Sequence, residues 1–264
     1  MKIHKCRCCG SENVQQFFDL GDQPFANALL DNEEMFSSEK KYPLSLSFCE
    51  DCSLVQLDYT ADPEELFSNY FWVTGTSETA RNYAEQFCER TIKKLHGASY
   101  VLELASNDGT FLKAFKKRGY EVLGVDPAKN IAEMATNDGI PTRAKFFGLN
   151  VAQDIIKEKG YPAVVYARNV VPHVANLHDF AEGVAYCCNG QNIAVVEVHY
   201  AGKILEELHY DSIYHEHLCY FTLKSLKGLF EQYGLYVFDI DMSPISGGSI
   251  VVYMSKELKK KTDM

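Results

Sequence analysis

No stretch of this 264-residue chain approaches the roughly 20 consecutive apolar residues that a bilayer-spanning helix needs. The opening Met1-Lys-Ile-His-Lys-Cys6 lacks the apolar run of a secretory leader, so the expected location is the cytoplasm. Positive charge is also scarce. Lys and Arg total 26 against 36 Asp and Glu, a net charge of -10, which argues against general binding to phosphate backbones. The one basic run, Lys256 to Lys261, reads as a solvated tail. Internal repeats and low-complexity tracts are absent. So is the G-x-G-x-x-G loop of nicotinamide-binding folds. What remains is a soluble chain long enough for one large α/β domain and a small appendage, with a small molecule as the expected partner.

Cysteine is plentiful, but the nine present make an odd number, and a disulfide framework is not expected in a reducing compartment. Their spacing is more informative. Cys6-Arg-Cys-Cys9 and Cys49-Glu-Asp-Cys52 are two C-x-x-C pairs with 39 residues between them. Each pair can present two thiolates from one tight turn, and two such turns complete a tetrahedral zinc site. Gly10 follows the first turn, where a positive φ is often needed. Four thiolates leave zinc no open position, so the metal is expected to be structural and to stabilise a segment whose own core is small. Cys8 competes as a ligand, but Cys6 and Cys9 have the better spacing.

Ser77 to Leu95 has helical periodicity, with Ala80, Tyr83, Ala84, Phe87, Thr91 and Leu95 on one face and Thr-Ser-Glu-Thr suited to capping at its start. The aromatic stretch Tyr70-Phe-Trp-Val precedes it and includes the single tryptophan. From residue 100 strands and helices alternate. Strands are expected at Tyr100–Leu104, Glu121–Val125, near Thr142, at Ala163–Ala167, Asn192–Val198, Tyr236–Asp241 and Ser249–Met254. Helices are expected at Thr110–Arg118, 128–138, 151–159 and 222–233. That alternation predicts a parallel sheet covered by helices, closed by an antiparallel hairpin across Ser243–Gly248. The expected fold class is α/β; seven strands with such a terminal hairpin are similar to the Rossmann-like sheet of class I S-adenosylmethionine (SAM) methyltransferases, here with an N-terminal zinc module. The expected division is a zinc module over 1–66, a helical linker over 67–98, a SAM-binding domain over 99–255 and a basic tail over 256–264.

Ligands of such sheets sit beyond the C-terminal strand ends. The first strand delivers Glu103-Leu-Ala-Ser106-Asn107-Asp108-Gly109, whose small residues let backbone approach a ligand. The second ends at Asp126-Pro127, where a carboxylate can accept the ribose hydroxyls of a nucleoside. The Ser106–Gly109 loop is expected near the methionine portion of SAM. Asn169 and His173, after the fourth strand, and Ser77, at the helix start, complete the cofactor-side candidates. The densest polar cluster is Tyr214-His215-Glu216-His217. Its two histidines lack the i, i+4 spacing of a helical metal motif. General acid–base work is favoured, with a carboxylate beside a histidine to orient it and raise its basicity.

These motifs resemble the zinc-containing sugar C-methyltransferases that act on nucleotide-linked keto-deoxysugars. The resemblance runs from Cys6 to about Tyr253. It includes Pro24-Phe-Ala-Asn27, Cys52-Ser-Leu-Val-Gln-Leu57, Ser106-Asn-Asp-Gly109, Ala167-Arg-Asn-Val170 with His173, Tyr214-His-Glu-His217 and Gly247-Gly-Ser249. It implies zinc on the four cysteines, SAM in the Rossmann-like core and a histidine base that removes a proton from the carbon beside a ketone. On that resemblance His217 is the base, Glu216 and His215 support or orient it, and Tyr214 touches the sugar or its enolate. Members of the family continue into a second α/β domain, which this chain would lack. Trp72, Ser246 and Val251 stand where the family usually has Tyr, His and Arg. The alternative function is SAM-dependent O- or N-methylation of another small molecule, or a non-catalytic SAM-binding partner protein.

Overall fold

The structure is a computed structural model that describes residues 2–30, 32–67, 72–97, 99–243 and 245–257. Tyr70 and Phe71 of the aromatic stretch, and the tail from 258 onward, lie outside the described residues.

Among the described residues, two sheets form the scaffold. The larger has seven strands: β4 (Val101–Leu104), β5 (Val122–Asp126), β6 (Thr142–Ala144), β7 (Val164–Arg168), β8 (Ile193–His199), β10 (Tyr236–Ser243) and β11 (Ser249–Ser255). Their order is β10-β11-β8-β7-β4-β5-β6. β4 to β8 run parallel, β11 pairs antiparallel with β8, and β10 closes the expected hairpin. Val101–Leu104 and Val122–Asp126 are buried at every position, as strands covered on both faces must be. The strand order reverses at β4, which opens a crevice between the C-terminal ends of β4 and β7.

Helices α2 (Glu78–Ile92), α3 (Thr110–Lys116), α4 (Lys129–Asn137), α5 (Leu149–Lys159) and α8 (Leu223–Glu231) lie close to the spans read from periodicity. Ser77 caps α2 by accepting the Ala80 N–H at 3.2 Å, and Thr222 begins α8 with a reciprocal capping box to Ser225. Helix α6 (Leu177–Tyr186) has no counterpart in the expected elements, although Leu177, Phe180, Ala181 and Val184 repeat with helical period and are buried. The short helices α1 (Pro63–Phe67) and α7 (Ala201–Glu206) were also not expected.

The second sheet is N-terminal: β1 (Val14–Gln23), β2 (Tyr42–Cys49) and β3 (Val55–Leu57). Its fourth strand comes from far along the chain. β9 (Cys219–Tyr220) pairs with β3, matching Val55 with Tyr220 and Gln56 with Cys219. The core follows that junction. One hydrophobic cluster runs from Cys8, Leu46 and Leu57 through Leu218, Phe221 and Phe230 to Leu102 and Val196 of the large sheet. The N-terminal core, expected to be small and to gain stability from the metal, is continuous with the main one. A separate cluster on the other face of the large sheet packs Tyr83 and Phe87 of α2 against Phe111, Phe115 and Tyr166.

Candidate active site and metal site

The four cysteines of the C-x-x-C pairs converge, with ligand atoms all within 4.8 Å of one another. Cys6 Sγ lies 3.5 Å from Cys52 Sγ, and Cys9 Sγ lies 3.6 Å from Cys49 Sγ. A tetrahedron with zinc–sulfur bonds near 2.3 Å has edges of about 3.8 Å, so the thiol set fits zinc. Both knuckles are built alike. The Gly10 N–H donates to the Cys6 carbonyl and the Ser53 N–H to the Cys49 carbonyl, and both residues have positive φ, 72° and 63°. Cys8 lies near Cys52 but outside the converging set, its Sγ donating to the Ser225 carbonyl of α8 at 3.3 Å.

A cavity of about 1120 Å³ opens over the crevice beside β4 and β7. Glu103, Ser106, Asn107, Asp126 and Pro127 line one side, and Asn169, His173, Tyr214 and His217 line another. Ser77 and Trp72 line the cavity as well. Five described non-glycine residues have positive φ, and Ala105, Asn107 and Asn169 among them border this cavity. Left-handed backbone costs energy in such residues and collects where a ligand is held.

The loop after β4 divides its labour. The Asp126 carboxylate accepts the Asn107 N–H at 2.8 Å and the Ala128 N–H at 2.9 Å, which fixes it at the cavity edge. Burial raises its pKa against the opposing pull of those two bonds. Asn107 spends its side chain on the segment ahead of α2, accepting the Thr74 N–H and donating to the Trp72 carbonyl. Asp108 and Gly109 do not line the cavity. Asp108 accepts the Thr110 hydroxyl at 2.8 Å, and Gly109 is the left-handed N-cap of α3 (φ 73°), where a Cβ would strike Ile140. Glu103 is buried with Oε2 lacking a hydrogen-bond partner, and burial pushes its carboxyl well above the usual range. A buried, unpartnered carboxylate oxygen bordering a cavity suits a cationic ligand such as an amino-acid ammonium group. Together with the carboxylate at the end of β5, it makes these residues fit SAM.

The Tyr214–His217 segment splits between two sides. His217 borders the cavity. Its Nδ1 is 2.8 Å from the Ser212 carbonyl, which only accepts, so Nδ1 carries the proton and Nε2 has the lone pair. The Tyr214 hydroxyl lies 3.1 Å from that Nε2. Burial, reinforced by neighbouring His173 and His199, pushes His217 down to about 3, so it is neutral near pH 7. His173 donates from Nδ1 to the Glu216 carbonyl at 2.9 Å and is held by burial at about 4. His215 and Glu216 do not border the cavity. The His215 ring sits edge-on to Phe25, 5.2 Å between centroids, and its Nε2 reaches the Tyr42 carbonyl. The Glu216 carboxylate accepts from Asn27 Nδ2 at 2.6 Å instead of meeting a histidine, so the carboxylate expected to raise the basicity of its histidine neighbour is absent from His217. Through that bond it places Asn27 on the cavity wall.

Sequence reasoning passed over several wall residues. Arg168, Tyr83 and His199 all line the cavity. Arg168 Nε donates to the buried Glu197 carboxylate at 2.6 Å while its guanidinium lies 3.4 Å over the Phe111 ring. A charged residue ending the apolar strand Val164–Arg168 was the available signal.

Comparison with known proteins identifies the two domains. Residues 6–67 match the family described as "Putative zinc binding domain" and residues 77–240 the family described as "Methyltransferase domain". The chain is 32% identical over 253 residues to the C-methyltransferase NovU of Streptomyces niveus, covering 95% of this chain and 60% of that protein. It thus spans about three fifths of the length of the curated relative it matches. Among solved structures, a SAM-dependent methyltransferase from Anabaena variabilis is 15% identical and covers 69% of this chain and 87% of its own, with a TM-score of 0.54. One from Archaeoglobus fulgidus is also 15% identical and covers 66% of this chain and 93% of its own, with a TM-score of 0.53. At such identities the likeness speaks for the fold. The match over residues 77–240 makes the chain a member of the methyltransferase family, built on the class I SAM-binding fold and preceded by a zinc-binding domain.

Proposed function

We propose that this protein transfers a methyl group to the carbon beside a ketone in a nucleotide-linked deoxysugar, with His217 as the base. The observation that carries the reading is the His217–Tyr214 pair: a neutral imidazole with its lone pair turned to a phenol, on the wall of the cavity that Asp126 and Glu103 border.

The chemistry needs three things from the chain. The first is a hold on SAM, which when bound supplies an electrophilic methyl group. Asp126 is the ribose acceptor, Glu103 the acceptor for the ammonium group, and the Ser106–Gly109 loop shapes the methionine end. Pro127, Asn169 and Ser77 complete that wall.

The second requirement is a base for a C–H bond. His217 Nε2 takes the proton and the electron pair moves onto the ketone oxygen. Burial keeps the imidazole unprotonated at the pH of the cell and also lowers its basicity, so the step leans on the donor that stabilises the enolate. The third is a donor for the enolate oxygen. Tyr214 is the donor, because His215 is committed to Tyr42 and lies off the cavity. Glu216 and His215 act at a distance, Glu216 by holding Asn27 and His173.

The test is hydrogen exchange. A nucleotide-linked keto-deoxyhexose incubated in D2O with the demethylated cofactor and wild-type protein takes up deuterium at the carbon beside the ketone. His217→Ala lowers both this uptake and methylation by ~10²–10⁴-fold, the usual contribution of a general base. Full exchange in that variant removes His217 from the mechanism. Methylation at oxygen or nitrogen without exchange favours the alternative reaction.

A further inference from the structure

A buried imidazole that has just accepted a proton is a charge in a poor dielectric, and it must discharge before the next turnover. His217 is half-buried on the cavity wall, and both of its ring nitrogens are already paired, Nδ1 with the Ser212 carbonyl and Nε2 with the Tyr214 hydroxyl. A different set of groups does reach the surface. The His199 ring, at the end of β8, stands 6.4 Å from the His217 ring between centroids. The His209 ring lies 6.1 Å further on, tilted only 25° from the ring of His199. His209 Nε2 is 3.2 Å from the Glu207 carboxylate, which is half exposed and also paired with Lys203.

The tautomers line up in one direction. The Glu207 carboxylate beside it favours the His209 proton on Nε2, facing outward. That leaves Nδ1 with the lone pair, and this atom is buried without a hydrogen-bond partner. His199 Nε2 is buried and unpartnered as well. A proton crosses gaps of this size by way of a bridging water. His209 is held in place by Gly247 (φ 71°), whose Cα approaches so closely that a Cβ there would overlap the imidazole.

We infer that His199 and His209 form a proton exit from the active-site base to solvent at Glu207. The inference rests on the C-methylation reading above. The balance is simple. The C–H bond breaks, its electron pair stays with the substrate as enolate, and its proton goes to His217 Nε2. From there a proton passes by way of His199 to His209 Nδ1, while the proton on His209 Nε2 leaves through the Glu207 carboxylate to bulk water. One proton departs per methyl group transferred, and no oxidant or reductant is required.

His209 does not line the cavity, so His209→Gln leaves the cavity wall unaltered and is the main test; His199→Asn is the second. Two rates are compared in each protein. One is single-turnover methyl transfer with SAM. The other is loss of deuterium to water, with the demethylated cofactor, from a nucleotide-linked keto-deoxyhexose labelled beside the ketone. If the exit is blocked, the deuteron on His217 returns to carbon, and washout falls by about tenfold or more relative to methyl transfer. Added imidazole, a diffusible carrier, restores washout to both variants. Undiminished washout overturns the exit. So does an equal fall in both rates without rescue, which marks a structural role. Wild-type protein that shows no washout, or that methylates oxygen or nitrogen, sinks the C-methylation reading instead.

Discussion

Acid should destabilise this protein through two particular side chains. In the unfolded chain His173 and His217 take up protons near pH 6.5. In the fold burial holds them at about 4 and about 3, so both stay neutral well below that pH. Between about pH 4 and 6.5 the unfolded state therefore binds more protons. Stability rises with pH through this window and levels off above it. A histidine that titrates only when unfolded contributes about 1.4 kcal/mol per pH unit to the slope, and two contribute roughly 3. Both rings border a solvent-open cavity, which relieves part of their desolvation, so about half that slope is the working expectation. Urea unfolding from about pH 7.5 down to about 4.5 measures it, with His173→Gln and His217→Gln beside wild type. Each variant should flatten the pH dependence, the difference developing below the usual histidine pKa. Carboxylates titrate alike in all three proteins and cancel. Parallel curves across the window would refute the reasoning.

Three more outcomes follow from the site. Asp126→Ala removes the acceptor of the Asn107 and Ala128 N–H groups as well as the proposed ribose contact, and should weaken SAM binding by roughly 1.5–3 kcal/mol; unchanged calorimetric affinity counts against it. Elemental analysis should find one zinc per chain, kept in Cys8→Ser and lost in Cys49→Ser; zinc loss from the Cys8 variant would mean that the ligand set is wrong. Gly75→Ala places a methyl group against the Asp108 carboxylate and 2.7 Å from Thr110 Oγ1, so it should displace the loop after β4 and lower SAM affinity, whereas wild-type affinity would show that the 74–76 segment moves aside freely.

How much of this was legible in the sequence varies with the range of the interactions involved. β4 to β8 and most of their helices follow from local patterning, because short apolar runs such as Val122–Val125, bounded by turn residues, read as buried strands. The metal site was legible because a C-x-x-C knuckle is itself a local turn. Helix α6 was legible and overlooked: Leu177, Phe180, Ala181 and Val184 carry the period. Residues 207–221 were not legible. Asp211-Ser-Ile-Tyr-His-Glu-His has no period, and its course is set by distant partners: Tyr42 for His215, Asn27 for Glu216 and β3 for Cys219. The adjacency of Glu216 to its flanking histidines suggested a carboxylate–histidine pair, but the segment is a turn, closed by the His217 N–H on the Tyr214 carbonyl, and only the fold decides which of its side chains reaches the cavity.

The pairing of β3 with β9 also has a consequence for synthesis. The ribosome delivers the cysteine knuckles and the strands at 42–49 and 55–57 first, yet the edge of β3 has no neighbour until Cys219 and Tyr220 appear. For that interval a nascent N-terminal sheet carries an open edge, with Leu46 and Leu57 uncovered. Closing it joins residues more than 160 positions apart, as in the bond from the Leu57 N–H to the Leu218 carbonyl at 3.0 Å. The chain is thus sewn shut at the segment that bears His217, so the knuckles can be laid down early while the cavity wall is completed only after β9 has docked. Fragments cut between the zinc-binding and methyltransferase portions should each expose one side of this seam, and are expected to aggregate where the intact chain does not.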